Sequence, residues 1–126
     1  MYGMKAVFCD STTFIEDLRD CCGSDAAGDV TYASIQQALM SRPDMGVVIP
    51  GTGGVRKMRW TGRGHGKRGG LRIIYLYVPA FHTFLMLAAY AKGDQSDLTC
   101  DEKQAMADYV ARYIEYLHNK KKGGRR

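Results

Sequence analysis

The run Leu71-Arg-Ile-Ile-Tyr-Leu-Tyr-Val78 constrains the fold more than any other part of the chain. It is almost wholly β-branched, aromatic or aliphatic, the make-up of a strand packed on a pleated surface. Pro79-Ala-Phe-His82 then turns the chain, and Thr83 to Ala91 supplies a second strand within reach of the first. Upstream, Val55 to Trp60 reads as a third. Three strands in succession predict an antiparallel meander. Alternation sorts the residues of Val55 to Trp60. Met58 and Trp60 share a face with Arg56, whereas Lys57 and Arg59 lie on the other. If Met58 and Trp60 enter the core, Lys57 and Arg59 project from the opposite side of the sheet.

Helical signals flank the meander. Lys5 to Cys9 is a short apolar strand, and Thr13 with Glu16 has the T-x-x-E spacing of a capping box opening a helix. Ile15, Leu18 and Cys22 give that helix an apolar face, and glycines at 23 and 28 break it. A second helix is expected from about Asp29 to Ser41, with Tyr32, Ile35, Leu39 and Met40 inward. Pro43 ends it by pushing its predecessor out of the α region. The last helix runs from about Thr99, which forms a second capping box with Glu102, to His118. Met106, Tyr109, Val110, Tyr113 and Leu117 make its apolar stripe. The order β-α-α-β-β-β-α predicts an α+β domain: a small antiparallel β-sheet with two N-terminal helices and one C-terminal helix. Residues 1–118 form this single domain. The basic tail, 119–126, has nothing apolar to pack and is expected to be disordered.

Charge is sharply segregated. Between Arg56 and Arg72 stand seven cations and no acid, and Lys120, Lys121, Lys122, Arg125 and Arg126 crowd the tail. The net charge is +5, yet removing those twelve cations from the 18 lysines and arginines leaves six against 13 acids, about −7 for the remainder. Concentrated positive potential points to a polyanionic partner, most simply nucleic acid. The bland reading of a charge run is a solvated loop. The glycines interleaved here, which let backbone approach a ligand closely, favour contact.

Other chemistries lack their residues. Gly62 to Gly66 is one residue short of a P-loop, and Arg68 follows Lys67 where a hydroxyl is required. Cys9, Cys21, Cys22 and Cys100 match no zinc framework, and His65, His82 and His118 stand apart, so neither metal nor other cofactor is expected. No elbow motif supports a serine or cysteine nucleophile. The longest apolar run, Phe84 to Ala91, is too short to cross a bilayer, and no secretory leader is evident. The expected location is cytoplasmic, with the thiols reduced.

A basic cluster without histidine or carboxylate can still cleave RNA. The substrate carries its own nucleophile, the 2′-OH, which must be held in line with phosphorus and relieved of its proton. Arginine suits the phosphate, binding it through two N–H groups. A lysine crowded by arginines gives up its proton more readily, and so can act in proton transfer.

The block Val48-Ile-Pro-Gly-Thr-Gly-Gly-Val-Arg-Lys-Met-Arg-Trp60, followed by Gly66-Lys-Arg-Gly-Gly-Leu-Arg-Ile-Ile-Tyr75, resembles the RelE/HigB family of bacterial toxins. Tyr90-Ala-Lys92 and Ser96-Asp-Leu98 extend the likeness, which spans roughly Lys5 to Leu117. The resemblance implies the toxin half of a type II toxin–antitoxin module, with a microbial-RNase-like fold. It implies an endoribonuclease that cuts mRNA in the ribosomal A site and so inhibits translation. The implied partners are mRNA, the ribosome with its rRNA, and a helix-turn-helix antitoxin; no membrane is involved.

By the same resemblance the catalytic candidates are Lys57, Arg59, Arg72 and Lys92. Lys57 and Lys92 would move protons, and Arg59 and Arg72 would stabilise the transition-state phosphate. Arg56, Arg63, Lys67 and Arg68 are candidates for RNA or ribosome contact, with Tyr75 and Tyr90 as candidate aromatics for the nucleotide. His65 is a further candidate base. Relatives carry an arginine after the last-strand lysine and a tyrosine further on, where this chain has Gly93 and Thr99. The competing reading is a non-catalytic module of the same fold that binds ribosome or nucleic acid, or a toxin that has lost activity.

Overall fold

A computed structural model of the chain describes residues 5–61, 70–91, 93 and 97–123, the side chains of 122 and 123 excepted. Five strands form one sheet: β1 (Val7–Asp10), β2 (Val47–Val48), β3 (Arg56–Trp60), β4 (Leu71–Val78) and β5 (Thr83–Ala91). Their spatial order is β1-β5-β4-β3-β2. The β3–β4–β5 meander is present as expected, and β4 and β5 have the expected limits. Two features are additional. β2 is a two-residue edge strand antiparallel to β3, and β1 pairs with β5 in parallel.

Each sheet face has its own core. Helices α1 (Phe14–Cys22) and α2 (Asp25–Ser41) cover one face, where Phe14, Leu18, Ile35 and Leu39 meet Met58, Leu71, Ile73, Tyr75, Phe84 and Met86. Helix α3 (Cys100–Gly123) covers the other, where Val110 and Leu117 meet Ile74, Leu76, Val78 and Leu85. β4 is therefore buried on both sides, which explains its unbroken apolar run. Among the described residues no helix is long and apolar enough to cross a membrane.

The helix starts show which local signals prevailed. At α3 the capping box forms reciprocally: the Glu102 N–H donates to Thr99 Oγ1 (3.1 Å) and the Thr99 N–H to Glu102 Oε1 (2.8 Å). At α1 it does not. Thr13 lies in the αR region, φ −107°, instead of the extended conformation a cap requires, and its side chain makes no capping bond. The Ser11 carbonyl takes the Phe14 N–H instead.

α2 starts at Asp25, four residues ahead of expectation, because Ser24 caps it by accepting from the Ala27 N–H (3.1 Å). Gly28 is thus no breaker but a contact within the helix. A Cβ there would lie 2.7 Å from Arg19 Cγ and 2.8 Å from Arg19 Cα, so the glycine lets α1 and α2 approach. Arg19 closes the crossing with an ion pair to Asp29 at 3.0 Å.

At the other end, α3 continues to Gly123, whereas an unstructured tail was expected from 119. Once formed, a helix adds residues at little expense, and cations near its C-terminus complement its dipole. Lys120 also sits over the Tyr116 ring and Lys121 over the Phe81 ring, each 5.8 Å from the centroid.

Gly28→Ala tests the helix crossing. Helix propensity alone would gain about 1 kcal/mol, but overpacking against the Arg19 backbone outweighs it, at roughly 1–3 kcal/mol. Urea unfolding is expected to show a net destabilisation of the variant.

Candidate nucleic-acid interface

The loop entering β3 is built to meet α3. Thr52, fully buried, donates its hydroxyl to the Ile49 carbonyl (2.6 Å) and accepts from the Val55 N–H (3.1 Å). Gly53, at φ +81°, adopts a backbone conformation that side chains disfavour, and its open Cα faces Ala107 and Val110 of α3. The Pro50-Gly-Thr-Gly-Gly54 segment is therefore a buttress between sheet and helix.

Beyond that contact, sheet and helix separate into a cleft of about 580 Å³. Lys57, Ile74, Ala88 and Tyr90 line it from the sheet; Met106 and Tyr109 line it from α3, with Asp97 and Glu102 also among its lining residues. The sheet supplies the cations and α3 the acids. In the adjoining row of the sheet, cross-strand pairing aligns Arg59 of β3, Arg72 of β4 and Tyr90 of β5. Residues opposite one another in antiparallel strands have side chains about 5 Å apart. Arg59 and Arg72 thus form a pair of guanidinium groups beside the tyrosine, one row from Lys57, whose strand partner is Ile74.

A β-bulge places Tyr90 in this row. The β4–β5 register shifts between Ile74 and Tyr75, whose partners are Ala88 and Met86, leaving Leu87 as the extra residue. Phe84 and Met86 face α1 and α2; without the extra residue, alternation would send Tyr90 to that side too. With it, Tyr90 packs on the α3 side.

The structure thus brings Lys57, Arg59, Arg72 and Tyr90 onto one face. Arg63, Lys67, Arg68, His65 and Lys92 lie outside the described residues. Two expectations are corrected. Tyr75 belongs to the opposite core and is 0% exposed, its hydroxyl donating to the Pro43 carbonyl (2.7 Å) and accepting from the Gly46 N–H (2.9 Å). Arg56 shares that face and donates to the Gly46 carbonyl at 2.6 Å. Both hold the loop between α2 and β2, and odd–even alternation turns both away from the cleft.

Tyr109 was read only as part of an apolar stripe, yet it is 41% exposed and walls the cleft. Helical periodicity could not separate it from Val110, its buried neighbour. Thr99, in the position where relatives carry a tyrosine, is committed to capping α3. The aromatics available to the cleft are Tyr90 and Tyr109.

Residues 40–122 match the family model described as the RelE toxin of the RelE/RelB toxin–antitoxin system. Among solved structures, the chain is similar to a mutant of the E. coli toxin RelE in the free state. Identity is 11% and the TM-score 0.50, over 85% of this chain and 98% of that one. At that identity the likeness concerns the fold, and it agrees with the mostly antiparallel sheet and three helices seen here.

Tyr75→Phe checks the corrected role. Loss of two buried hydrogen bonds is expected to lower stability by roughly 2 kcal/mol at neutral pH while leaving RNA contact unchanged. Burial, outweighing the opposing Gly46 and Arg56 contributions, raises the Tyr75 pKa above its ordinary 10.0. Its share of stability is therefore complete below pH 10 and is lost as pH rises from there through the folded-state value. Urea unfolding measured from neutral to alkaline pH should show the wild type losing its advantage over the phenylalanine variant.

Proposed function

The chain belongs to the RelE toxin family, the toxins of a toxin–antitoxin system, and from that premise we propose that it is a ribosome-dependent mRNA endonuclease. The observation that carries the reading is the row Arg59–Arg72–Tyr90, adjoining Lys57 on the open face of the sheet. Two arginines side by side match the oxygens of one phosphate, and a tyrosine alongside offers a surface for a base. Asp97 and Glu102 border the same cleft from the α3 side. They disfavour phosphate there, so the RNA backbone tracks over the sheet.

In the proposed reaction O2′ attacks the adjacent phosphorus as the P–O5′ bond breaks. Lys57 and Lys92 are the proton-transfer groups, one receiving the 2′ proton and the other supplying a proton to O5′. Arg59 and Arg72 stabilise charge on the non-bridging oxygens, where preorganised donors contribute most. The products are a 2′,3′-cyclic phosphate and a 5′-OH. Arg63, Lys67 and Arg68 contact mRNA or rRNA backbone, and the ribosome supplies the substrate orientation that the open site does not. A helix-turn-helix antitoxin is the proposed neutralising partner, and the compartment is the cytoplasm.

Expression in bacteria tests the proposal. The wild-type chain should arrest growth and leave transcripts cut in phase with codons. Arg72→Ala should slow cleavage on the order of 10²-fold, and Lys57→Ala with Arg72→Ala should abolish both effects. Arrest with intact transcripts would sink the endonuclease reading in favour of a non-catalytic binder.

A further inference from the structure

A second groove, of about 480 Å³, lies at the other end of α3. Val7 and Cys9 of β1, Phe81, and Tyr113, Tyr116 and Leu117 of α3 form its apolar walls; Lys120 and Lys121 complete it. Val7 and Tyr116 are each 53% exposed, large apolar surface for a protein this size to leave uncovered.

The groove runs along an open sheet edge. β1 ends the strand order and is paired on one side only, with β5. The Val7 N–H donates to the His82 carbonyl (2.9 Å) and the Ser11 N–H to the Met86 carbonyl (2.8 Å). Backbone groups alternate direction along a strand, so those of Phe8 and Asp10 point outward, away from β5. The opposite edge, β2, offers only two residues and no comparable groove.

We propose that this edge receives an extended, acidic peptide segment of a partner protein, which pairs with β1 as a sixth strand. Strand addition satisfies the outward backbone groups of Phe8 and Asp10. Alternate side chains of the added strand fall over Val7, Cys9 and Tyr116, where apolar residues fit. Further along, Lys120 and Lys121 select carboxylates. Charge decides between this occupant and a second copy of the chain. Two copies pairing edge to edge would bring their lysine pairs together, and no acidic side chain lines the groove to offset them. The site is separate from the basic row and does not depend on the RNA chemistry.

The test uses the full chain and a ten-residue probe peptide. The probe carries threonine at every second position and valine or glutamate at the others. Expected are saturable binding and slowed amide exchange at Phe8 and Asp10 by NMR, with Val7, already bonded, unchanged. Affinity should fall at least tenfold when lysine replaces glutamate in the probe, or when Lys120→Glu and Lys121→Glu are introduced together. An N-methylated probe should not bind. The proposal is overturned if the probe fails to bind, if both charge forms bind alike, or if the affected amides lie around Arg59 and Arg72. Concentration-dependent protection of Phe8 and Asp10 without any probe would assign the edge to a second copy and overturn it equally.

Discussion

Two-sided burial of β4 organises the molecule. Its odd positions, Leu71, Ile73 and Tyr75, belong to the core under α1 and α2; Ile74, Leu76 and Val78 belong to the core under α3. Arg72 is the exception in the second series, and it stands at the β4 end where Arg59 and Tyr90 are its strand partners. The basic row therefore follows from the strand that builds the fold. A cation at position 74 or 76 would be sealed beneath α3 at a large desolvation cost, whereas position 72 leaves it partly open.

The glycine-rich motif divides along the same line. Its first part, Pro50 to Gly54, resembles a phosphate-binding loop in composition but serves as packing. Thr52 uses both hydrogen-bonding roles of its hydroxyl on the loop itself, and the loop lies against Lys103, Ala107 and Val110 on a single stripe of α3. The chemistry begins only with Lys57. What makes the motif recognisable in the sequence is thus largely the means of seating α3, and that seating forms one wall of the cleft.

Strand and helix identities were legible because they rest on local composition and period: β4 and β5 have their expected limits, and α3 starts at its expected box. Alternation was enough to place Lys57 and Arg59 opposite Met58. The errors arose where a tertiary contact overrides a local signal. Gly28 reads as a breaker until Arg19 is seen against it, and Thr13 reads as a cap until its backbone is seen in the αR region. Tyr75 was misassigned because a tyrosine in an alternating strand announces its face only once a neighbour's face is known. The bulge at Leu87, which turns Tyr90 into the cleft, leaves no trace in a run of uniformly apolar residues.

Helix α3 carries acids at one end and lysines at the other, and this polarity alone needs no functional explanation. Asp101 and Glu102 in the first turn and Lys120 and Lys121 in the last complement the helix dipole. Helix stability does not, however, specify what lies across from each end. Opposite the acidic end stands the cationic sheet face, so the cleft has two walls of opposite sign. Opposite the lysines stands an open strand edge with exposed Val7 and no carboxylate lining the groove. The first arrangement already contains its own counter-charge; the second does not. An anionic partner chain is the occupant that satisfies both the lysines and the unpaired backbone of β1.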